Sequence, residues 1–339
     1  MRQELAPTIG LFPKPDSPFI MPDESLNESA IVLCPGQGAQ YVGMGKDWCD
    51  RDMRAAKIFE RAGELLDFDL SLLCFEGPEQ SLNRTDNAQV AIYVASVACF
   101  AALVHAGSIG TIEYAAGLSL GEFTALHVAG AFDFESGLRL VRLRGQAMQE
   151  AAEAVPGGSG MVALMGADED QADQLCDRVN GDLSREGQDG ADLLVPANFN
   201  CPGQVVISGH QVACHRALEV SQEMGMRAKA LAVVGAFHSP LMKPAADRLA
   251  KALDQTQWQL PRIPVLSNVT GQPHDTDIDS IKRRLVGQLT QPVRWTDSMC
   301  WLSKNAHGQF VELAPGKVLA GLMRRIDRAK KVKNFDRSP

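Results

Sequence analysis

Residues 115–122 read AAGLSLGE and contain the pattern G-x-S-x-G. An apolar run at 112–116 leads into the pattern, and a helix-like run at 122–129 follows it. This order of strand, sharp turn and helix is typical of a nucleophile elbow at the end of a strand in a parallel sheet. The stretch therefore predicts an α/β fold with a hydrolase-like large domain, in which one serine stands at the bend.

Ser119 is that serine. A serine hydroxyl is a weak nucleophile unless it is exposed, close to a base and beside N–H donors, and an elbow supplies the exposure and some of the donors. Gly117 and Gly121 leave room for a tight turn because neither has a Cβ atom. The pattern favours a catalytic serine, and the alternative interpretation is a glycine-rich turn with a bystander serine.

The composition restricts the classes of protein to which the chain can belong. The chain has 339 residues, 45% of them hydrophobic, and a formal net charge of −8. This size predicts one large or two unequal domains with a full core. The acidic total argues against nucleic-acid binding. No apolar run is expected to reach the roughly 20 residues of a membrane span, so no membrane contact is expected either.

The cysteines and the start of the chain indicate a reduced, cytoplasmic protein. The 8 cysteines are scattered without a C-x-x-C pair, which favours buried free thiols. No H-E-x-x-H pair occurs, so no metal site is expected. Residues 1–29 are rich in proline and lack the basic start and apolar middle of a signal peptide. They are predicted to form an N-terminal tail.

The pattern of elements changes after the glycine-rich segment PGGSG at 156–160. The segments that follow alternate in the order βαββαβ: strands at 161–165, 193–197, 205–208 and 227–233, and helices at 169–179 and 210–224. This order predicts a small ferredoxin-like subdomain, 157–233, inserted into a large α/β domain made of 30–156 and 234–326. The cleft between the two is the expected ligand site, and 327–339 is predicted to be a basic C-terminal tail.

Arg144 falls in the middle of the apolar face of a helix predicted to follow Asp133 and to end near Ala154. Arg139 and Arg142 fall on the opposite, polar side. An arginine in an apolar stripe is costly unless an anion pairs with it. The partner is either an internal carboxylate or a substrate carboxylate held in bidentate fashion, unless the side chain reaches out to solvent.

His238 is the preferred base for Ser119 among the 7 histidines. It stands where the chain leaves the predicted insert, and it is followed by Ser-Pro, a turn and helix-start signal. That position places it at the domain cleft. No acidic residue between Ser119 and His238 stands out at a strand end, so we expect a carbonyl rather than a carboxylate to orient the histidine.

A set of motifs occurs in a fixed order along the chain: PGQGAQ (35–40), GLSLGE (117–122), LRGQAMQEA (143–151), NFNCPGQVVISG (198–209), GAFHSPLM (235–242), QLTQPVRW (288–295) and LAPGKVL (313–319). In these motifs the chain closely resembles malonyl-CoA:acyl carrier protein transacylases, over about residues 30–326. The elbow of that family usually reads G-H-S-x-G, and Leu118 replaces its histidine here. That histidine is not the catalytic base, so the replacement concerns the polarity beside the serine.

The resemblance implies catalytic roles. Ser119 matches the nucleophile that takes the malonyl group as an ester, and His238 matches its general base. The backbone carbonyl of Gln288 matches the group that holds the histidine. The backbone N–H groups of Gln37 and Leu120 match the oxyanion hole.

The resemblance also implies a substrate and a partner. Arg144 matches the clamp for the malonyl carboxylate, Phe237 resembles a residue associated with malonyl preference, and Asn200 is a weaker pocket candidate. The implied reaction transfers malonyl from malonyl-CoA to an acyl carrier protein in fatty-acid synthesis, without a metal or redox cofactor, in a monomer. The alternatives are a serine hydrolase or thioesterase, and a transacylase of a polyketide pathway. The candidate surfaces for an acidic carrier are 282–284 and 324–333.

Overall fold

The computed structural model describes residues 29–186 and 193–338. The predicted N-terminal tail lies outside the described residues except for Ser29.

The strands are β1 (Ala30–Cys34), β2 (Ile112–Gly117), β3 (Ser159–Met165), β4 (Leu194–Cys201), β5 (Gln204–His210), β6 (Arg227–Ala230), β7 (Gln309–Leu313) and β8 (Val332–Phe335). The helices are α1 (Lys46–Arg51), α2 (Met53–Leu65), α3 (Leu70–Glu76), α4 (Glu79–Leu82), α5 (Thr85–His105), α6 (Leu120–Val128), α7 (Phe134–Glu153), α8 (Glu169–Arg185), α9 (Gln211–Glu223), α10 (Lys243–Gln255), α11 (Ile278–Gln288), α12 (Trp295–Asn305) and α13 (Val318–Ile326). A short 3-10 helix, Pro240–Met242, precedes α10.

A parallel sheet with the order β2-β1-β7-β8 forms the centre of the large unit. The β1 sequence AIVLC is buried throughout, as a strand covered on both faces requires. Segment 263–266, which has a strand-like sequence, contributes a parallel bridge between Val265 and Ala115. Because parallel strands end at the same edge, the elbow after β2 and the loop after β1 lie side by side.

The segment 327–339 is not simply a basic tail. Its residues Val332–Phe335 form β8, which pairs in parallel with β7, and Phe335 is buried in the core. The composition hides this strand, because its two apolar residues stand among lysines and arginines. The large unit therefore extends past the predicted boundary at 326.

Helix α5 runs through the core beside α7, and nearly all its side chains are buried. Its 21 residues make it long and apolar enough to cross a membrane by length and composition. The expectation that no apolar run reaches that length is therefore wrong. Because nearly all of it is buried, α5 is the central helix of the core.

The small unit is an antiparallel sheet with the order β4-β5-β3-β6, packed against α8 and α9. It has a hydrophobic cluster of its own, which includes Val162, Leu175 and Ile207. Two backbone hydrogen bonds join β4 to the large unit: Phe199 N–H to the Val293 carbonyl at 2.9 Å, and Val293 N–H to the Ala197 carbonyl at 2.8 Å.

Candidate active site

The elbow is built around two glycines, and any other residue at either position would force the neighbouring backbone to move. A Cβ atom on Gly117 would lie 1.9 Å from the carbonyl carbon of Gly121, and a Cβ atom on Gly121 would lie 2.1 Å from the carbonyl oxygen of Cys34. Ser119 has a φ of 52°, in the left-handed region that non-glycine residues rarely adopt. The turn thus places a strained serine directly before α6.

Asn268 fixes this turn from the outside. Its side-chain carbonyl accepts the backbone N–H of Ser119 at 2.6 Å, and its amide donates to the carbonyl of Gly117 at 2.7 Å. Sequence reasoning did not identify Asn268. The available signal was its place just after the strand-like segment 263–266, which the bridge from Val265 brings beside the elbow.

His238 lies within hydrogen-bond distance of the serine, as the sequence predicts. Its Nε2 is 2.9 Å from the hydroxyl of Ser119, and its Nδ1 is 2.7 Å from the carbonyl oxygen of Gln288. A carbonyl can only accept, so the proton is on Nδ1 and Nε2 is free to accept the serine proton. Burial and the charge of Arg144 lower the pKa of His238 to about 4, so the ring is a neutral base near pH 7.

Arg144 is buried, with 1% of its surface exposed. It donates through Nη1 to Gln89 at 2.7 Å, and through Nη2 to the side chain of Gln288 at 2.8 Å and to the hydroxyl of Ser119 at 3.0 Å. All three acceptors are neutral, and in the described part of the chain its Nε has no hydrogen-bond partner. Burial lowers its pKa to about 10. The side chain neither reaches solvent nor pairs directly with a carboxylate there.

Glu122 is the anion nearest to this network, and sequence reasoning did not single it out. It is buried and accepts from the Gln288 side-chain amide at 2.7 Å and from the backbone N–H of Asn268 at 3.1 Å. His274 Nε2 lies 2.7 Å from its other oxygen. The Gln288 amide therefore stands between Glu122 and Arg144, while its backbone holds His238.

The two predicted oxyanion donors are the backbone N–H groups of Leu120, which directly follows the serine, and of Gln37, in the loop beside the elbow. Leu120 is the first residue of α6. The loop that carries Gln37 follows β1 so closely that a Cβ atom on Gly36 would lie 2.2 Å from the carbonyl oxygen of Leu118. Within residues 29–186 and 193–338, neither the Gln37 nor the Leu120 backbone N–H has a hydrogen-bond acceptor. Both are therefore free to bind an oxyanion.

Known proteins that resemble this chain have related names. An acyl transferase domain matches residues 31–336. A malonyl CoA-acyl carrier protein transacylase of Bacillus subtilis is 41% identical over 301 residues, which is 88% of this chain and 90% of the relative. The chain belongs to the acyl transferase family.

Solved structures agree with this assignment. An acyl-carrier-protein S-malonyltransferase from Bartonella henselae has a TM-score of 0.85 at 38% identity, covering 91% of this chain and 96% of its own. A malonyl-transacylase in complex with a type II PKS acyl-carrier protein has a TM-score of 0.84 at 38% identity, covering 92% and 96%.

The two weaker pocket candidates of this acyl transferase, Phe237 and Asn200, lie in different units of the molecule. Phe237 is buried directly before His238, with its ring against Gly235. Asn200 lies on β4 in the small unit, and its side-chain oxygen is buried without a partner among the described residues. Among the described residues, the hydrogen bonds of Ser119 go to other partners than Asn200. Leu118 packs against a separate apolar cluster beneath the elbow.

The two candidate surfaces for an acidic carrier protein, 282–284 and 324–333, have different surroundings. Lys282, Arg283 and Arg284 each lie within 4 Å of an aspartate, at 3.4, 3.6 and 2.8 Å, respectively. The acidic neighbours therefore offset the charge of segment 282–284. In segment 324–333, Arg325 donates to the backbone carbonyl of Gly203 at 3.1 Å, so this segment meets the turn between β4 and β5.

Proposed function

We propose that this acyl transferase moves a malonyl group from malonyl-CoA to the phosphopantetheine thiol of an acyl carrier protein, by way of a malonyl ester on Ser119. The observation that carries the proposal is Arg144, a buried cation that touches the Ser119 hydroxyl. Among residues 29–186 and 193–338 its Nε has no partner, and its hydrogen-bond acceptors are all neutral. A carboxylate on the acyl group would complete its hydrogen bonds. The names of the relatives support the same substrate and acceptor.

In the first half-reaction His238 Nε2 takes the proton of Ser119 as its oxygen attacks the thioester carbonyl. The negative charge that develops on the carbonyl oxygen is held by the N–H groups of Gln37 and Leu120, and one such donor is typically worth about 3 kcal/mol. The C–S bond then breaks, and the coenzyme A sulfur takes the proton from His238. The carbonyl of Gln288 keeps the imidazolium oriented through Nδ1.

The second half-reaction reverses these steps with another thiol. His238 takes the proton of the carrier thiol, whose sulfur attacks the malonyl ester on Ser119, and the proton returns to the serine oxygen. A thioester and an ester have similar acyl-group transfer potentials, so the exchange is reversible. Every step is a proton transfer or an acyl transfer, and the proposal therefore needs no metal or redox cofactor.

Arg144 selects the acyl group in this scheme. A malonyl carboxylate would replace neutral acceptors such as Gln288 and Gln89, and charge-assisted bidentate bonds are stronger than those they replace. Glu122 stays one side chain away, so it lessens the charge of Arg144 without occupying its donors. A lipase-like hydrolase has no use for this cation, which disfavours the hydrolase and thioesterase alternative.

The relative bound to a type II PKS acyl-carrier protein keeps a carrier of polyketide synthesis as the second candidate acceptor. We also infer a hydrolase-like large unit and a ferredoxin-like small one. The elbow supports the first, and the order β4-β5-β3-β6 with two helices on the antiparallel sheet supports the second. We further propose a cytoplasmic monomer, since one chain supplies every residue of the site.

The test is to mix the protein with malonyl-CoA, map the adduct by mass spectrometry, and add holo acyl carrier protein. We expect one malonyl group on the peptide that contains Ser119, and discharge by the carrier faster than by water. A Ser119→Ala protein is the matched control and should carry none. Absence of the wild-type adduct would refute the ester mechanism, and discharge no faster with carrier than with water would favour a hydrolase.

A further inference from the structure

The loop 35–45, which carries Gln37, is attached to the segment that follows the last strand. The hydroxyl of Tyr41 donates to the carboxylate of Asp336 at 2.9 Å, across nearly the whole length of the chain. Burial and the Asp336 carboxylate raise the pKa of Tyr41 to about 12, so the phenol remains a donor near pH 7. Tyr41 also packs against the main hydrophobic core.

The same oxygen of Asp336 holds a second segment against this loop. It accepts the backbone N–H of Gly316 at 2.6 Å. Gly316 has a φ of 76°, and a Cβ atom on it would lie 3.1 Å from the carbonyl oxygen of Ala39. One carboxylate oxygen therefore fixes Tyr41 directly, and supports the loop at Ala39 through the turn at Gly316.

Two further contacts attach the end of the chain to the helix that follows the loop. The indole of Trp48 donates to the carbonyl of Phe335 at 3.2 Å, and the N–H of Ser338 donates to Asp47 at 2.9 Å. Segment 335–338 thus contacts both the loop and α1. These bonds form because β8 adds to the sheet beside β7, which brings its end next to the loop after β1.

The other side-chain anchors of the loop are weaker or more exposed. The side chain of Gln37 reaches Thr85 at 3.4 Å, near the limit for a hydrogen bond. Gln40 donates to Asn83 at 2.9 Å in an exposed pair, which gives a modest net stabilisation. The partly buried bond from Tyr41 to Asp336 is therefore the firmest of these side-chain anchors.

We propose that Asp336 is a positioning residue that, through Tyr41 and Gly316, holds the backbone N–H of Gln37 in place for the oxyanion. The inference rests on the proposed function, in which that N–H stabilises the tetrahedral intermediate. A donor of this kind acts mainly in the transition state, so its displacement lowers kcat with little change in KM. A shift of about 1 Å in such a group can cost up to about 100-fold in rate.

The experiment measures Ser119 acylation by rapid quench at saturating and subsaturating malonyl-CoA. The variants are Tyr41→Phe, which removes one hydroxyl, Asp336→Ala, and Asp336→Asn, which keeps a carbonyl oxygen as acceptor. The matched controls are Tyr114→Phe on β2 and Asp168→Ala, which loses an exposed bond to the backbone N–H of Gln171 at the start of α8. Circular dichroism and thermal unfolding establish that each protein is folded.

We expect Tyr41→Phe and Asp336→Ala to acylate about tenfold or more slowly at saturation, with KM changed less than about twofold. Asp336→Asn should restore most of the rate, and both controls should match the wild type. Wild-type acylation rates in folded Tyr41→Phe and Asp336→Ala would overturn the inference, as would an effect confined to KM or to thermal stability. Tyr41→Phe removes a single oxygen atom, so it tests the inference even where Asp336→Ala fails to fold. Absence of an adduct on the wild-type protein would instead refute the proposed function.

Discussion

Two buried polar clusters lie at the carboxyl edge of the parallel sheet, and they differ in how fully their hydrogen bonds are satisfied. In the cluster beside β2, Arg144 donates only to neutral groups, and its Nε has no partner in the described residues. Ser119 and His238 in the same cluster both have a positive φ. This cluster is strained and has unused hydrogen-bonding capacity.

The cluster beside β7 and β8 is complete. Buried Glu312 accepts the backbone N–H groups of Leu319 and Ala320 at 2.8 and 2.9 Å, and the side-chain amide of Asn334 at 3.2 Å. Leu319 and Ala320 lie in the first turn of α13, and the N-terminus of a helix stabilises a carboxylate. Both oxygens of Glu312 have partners.

The difference shows how a buried ionisable group that holds the fold can be distinguished from one that awaits a ligand. A buried ionisable group is costly, and the folded protein usually supplies all its partners. Glu312 follows that rule, whereas Arg144 does not. Unused donors beside a strained serine indicate a site that a substrate completes.

The largest expected effect concerns the base of the incomplete cluster. His238→Ala should lower the rate of Ser119 acylation by malonyl-CoA by about 10²–10⁴-fold, because among the described residues the other hydrogen-bond partner of the serine hydroxyl, Arg144, is a donor and cannot accept the serine proton. Rapid-quench mass spectrometry measures the rate. His105→Ala is the control, since its ring pairs with Asp52 on the surface. A folded His238→Ala protein that acylates at the wild-type rate would show that His238 is not the base for Ser119.

In the complete cluster, Glu312 should make the free energy of unfolding depend on pH. Burial raises the pKa of Glu312 from 4.5 to about 7, although its hydrogen bonds lower it in part. The folded state therefore binds this proton more tightly than the unfolded state. The resulting stabilisation is fully present below about pH 4.5 and is lost as the pH rises through about 7, with a size of about 3 kcal/mol.

Urea unfolding of the wild type and of Glu312→Gln checks this contribution. Between about pH 4.5 and about pH 8, the free energy of unfolding of the wild type should fall by about 3 kcal/mol more than that of the variant. Equal changes in the two proteins would mean that Glu312 does not titrate with a raised pKa.

The sequence predicts the parts of the fold and of the site that depend on local pattern. The elbow follows from the spacing of its glycines, and the apolar face around Arg144 follows from helix periodicity. His238 follows from its place at the end of the insert. The order of strands and helices in that insert also agrees with the structure, although β6 ends at Ala230 rather than at 233.

The remaining parts depend on contacts between distant segments. Asn268 lies in a loop, and the bridge between Val265 and Ala115 brings it to the elbow. Glu122 has no periodic signal, because nearly every residue of α6 is buried. Strand β8 is short and mostly polar, so its composition resembles that of a tail. A pattern in a single sequence cannot show which distant group lies opposite such residues.

A smaller effect is expected at the support of the elbow. Asn268→Ala removes the bonds to Ser119 N–H and to the Gly117 carbonyl, which should destabilise the protein by about 2 kcal/mol and slow acylation by about tenfold. Asn305→Ala is the matched control, because its amide donates to the carbonyl of Trp301 on the surface, away from the elbow. Unchanged acylation in Asn268→Ala would show that the strained turn holds without this support.

The smallest expected effect is electrostatic. The charge of Arg144 contributes to lowering the pKa of His238 to about 4, after burial. Arg144→Met removes that charge, so the pKa should rise while burial keeps it below 6.5, its ordinary value. An NMR titration of the His238 ring in both proteins measures the shift. A pKa that stays the same or falls would show that the two groups are not coupled.

We hold that Arg144 is left unsatisfied for a substrate carboxylate, and competition between malonyl-CoA and acetyl-CoA for Ser119 tests this claim. The ratio of the two adducts is measured by mass spectrometry on the wild type and on Arg144→Met. We predict that the malonyl preference falls by about 10²-fold in the variant, while the rate of acetyl loading changes much less. An unchanged ratio, with equal losses for both substrates, would contradict the claim.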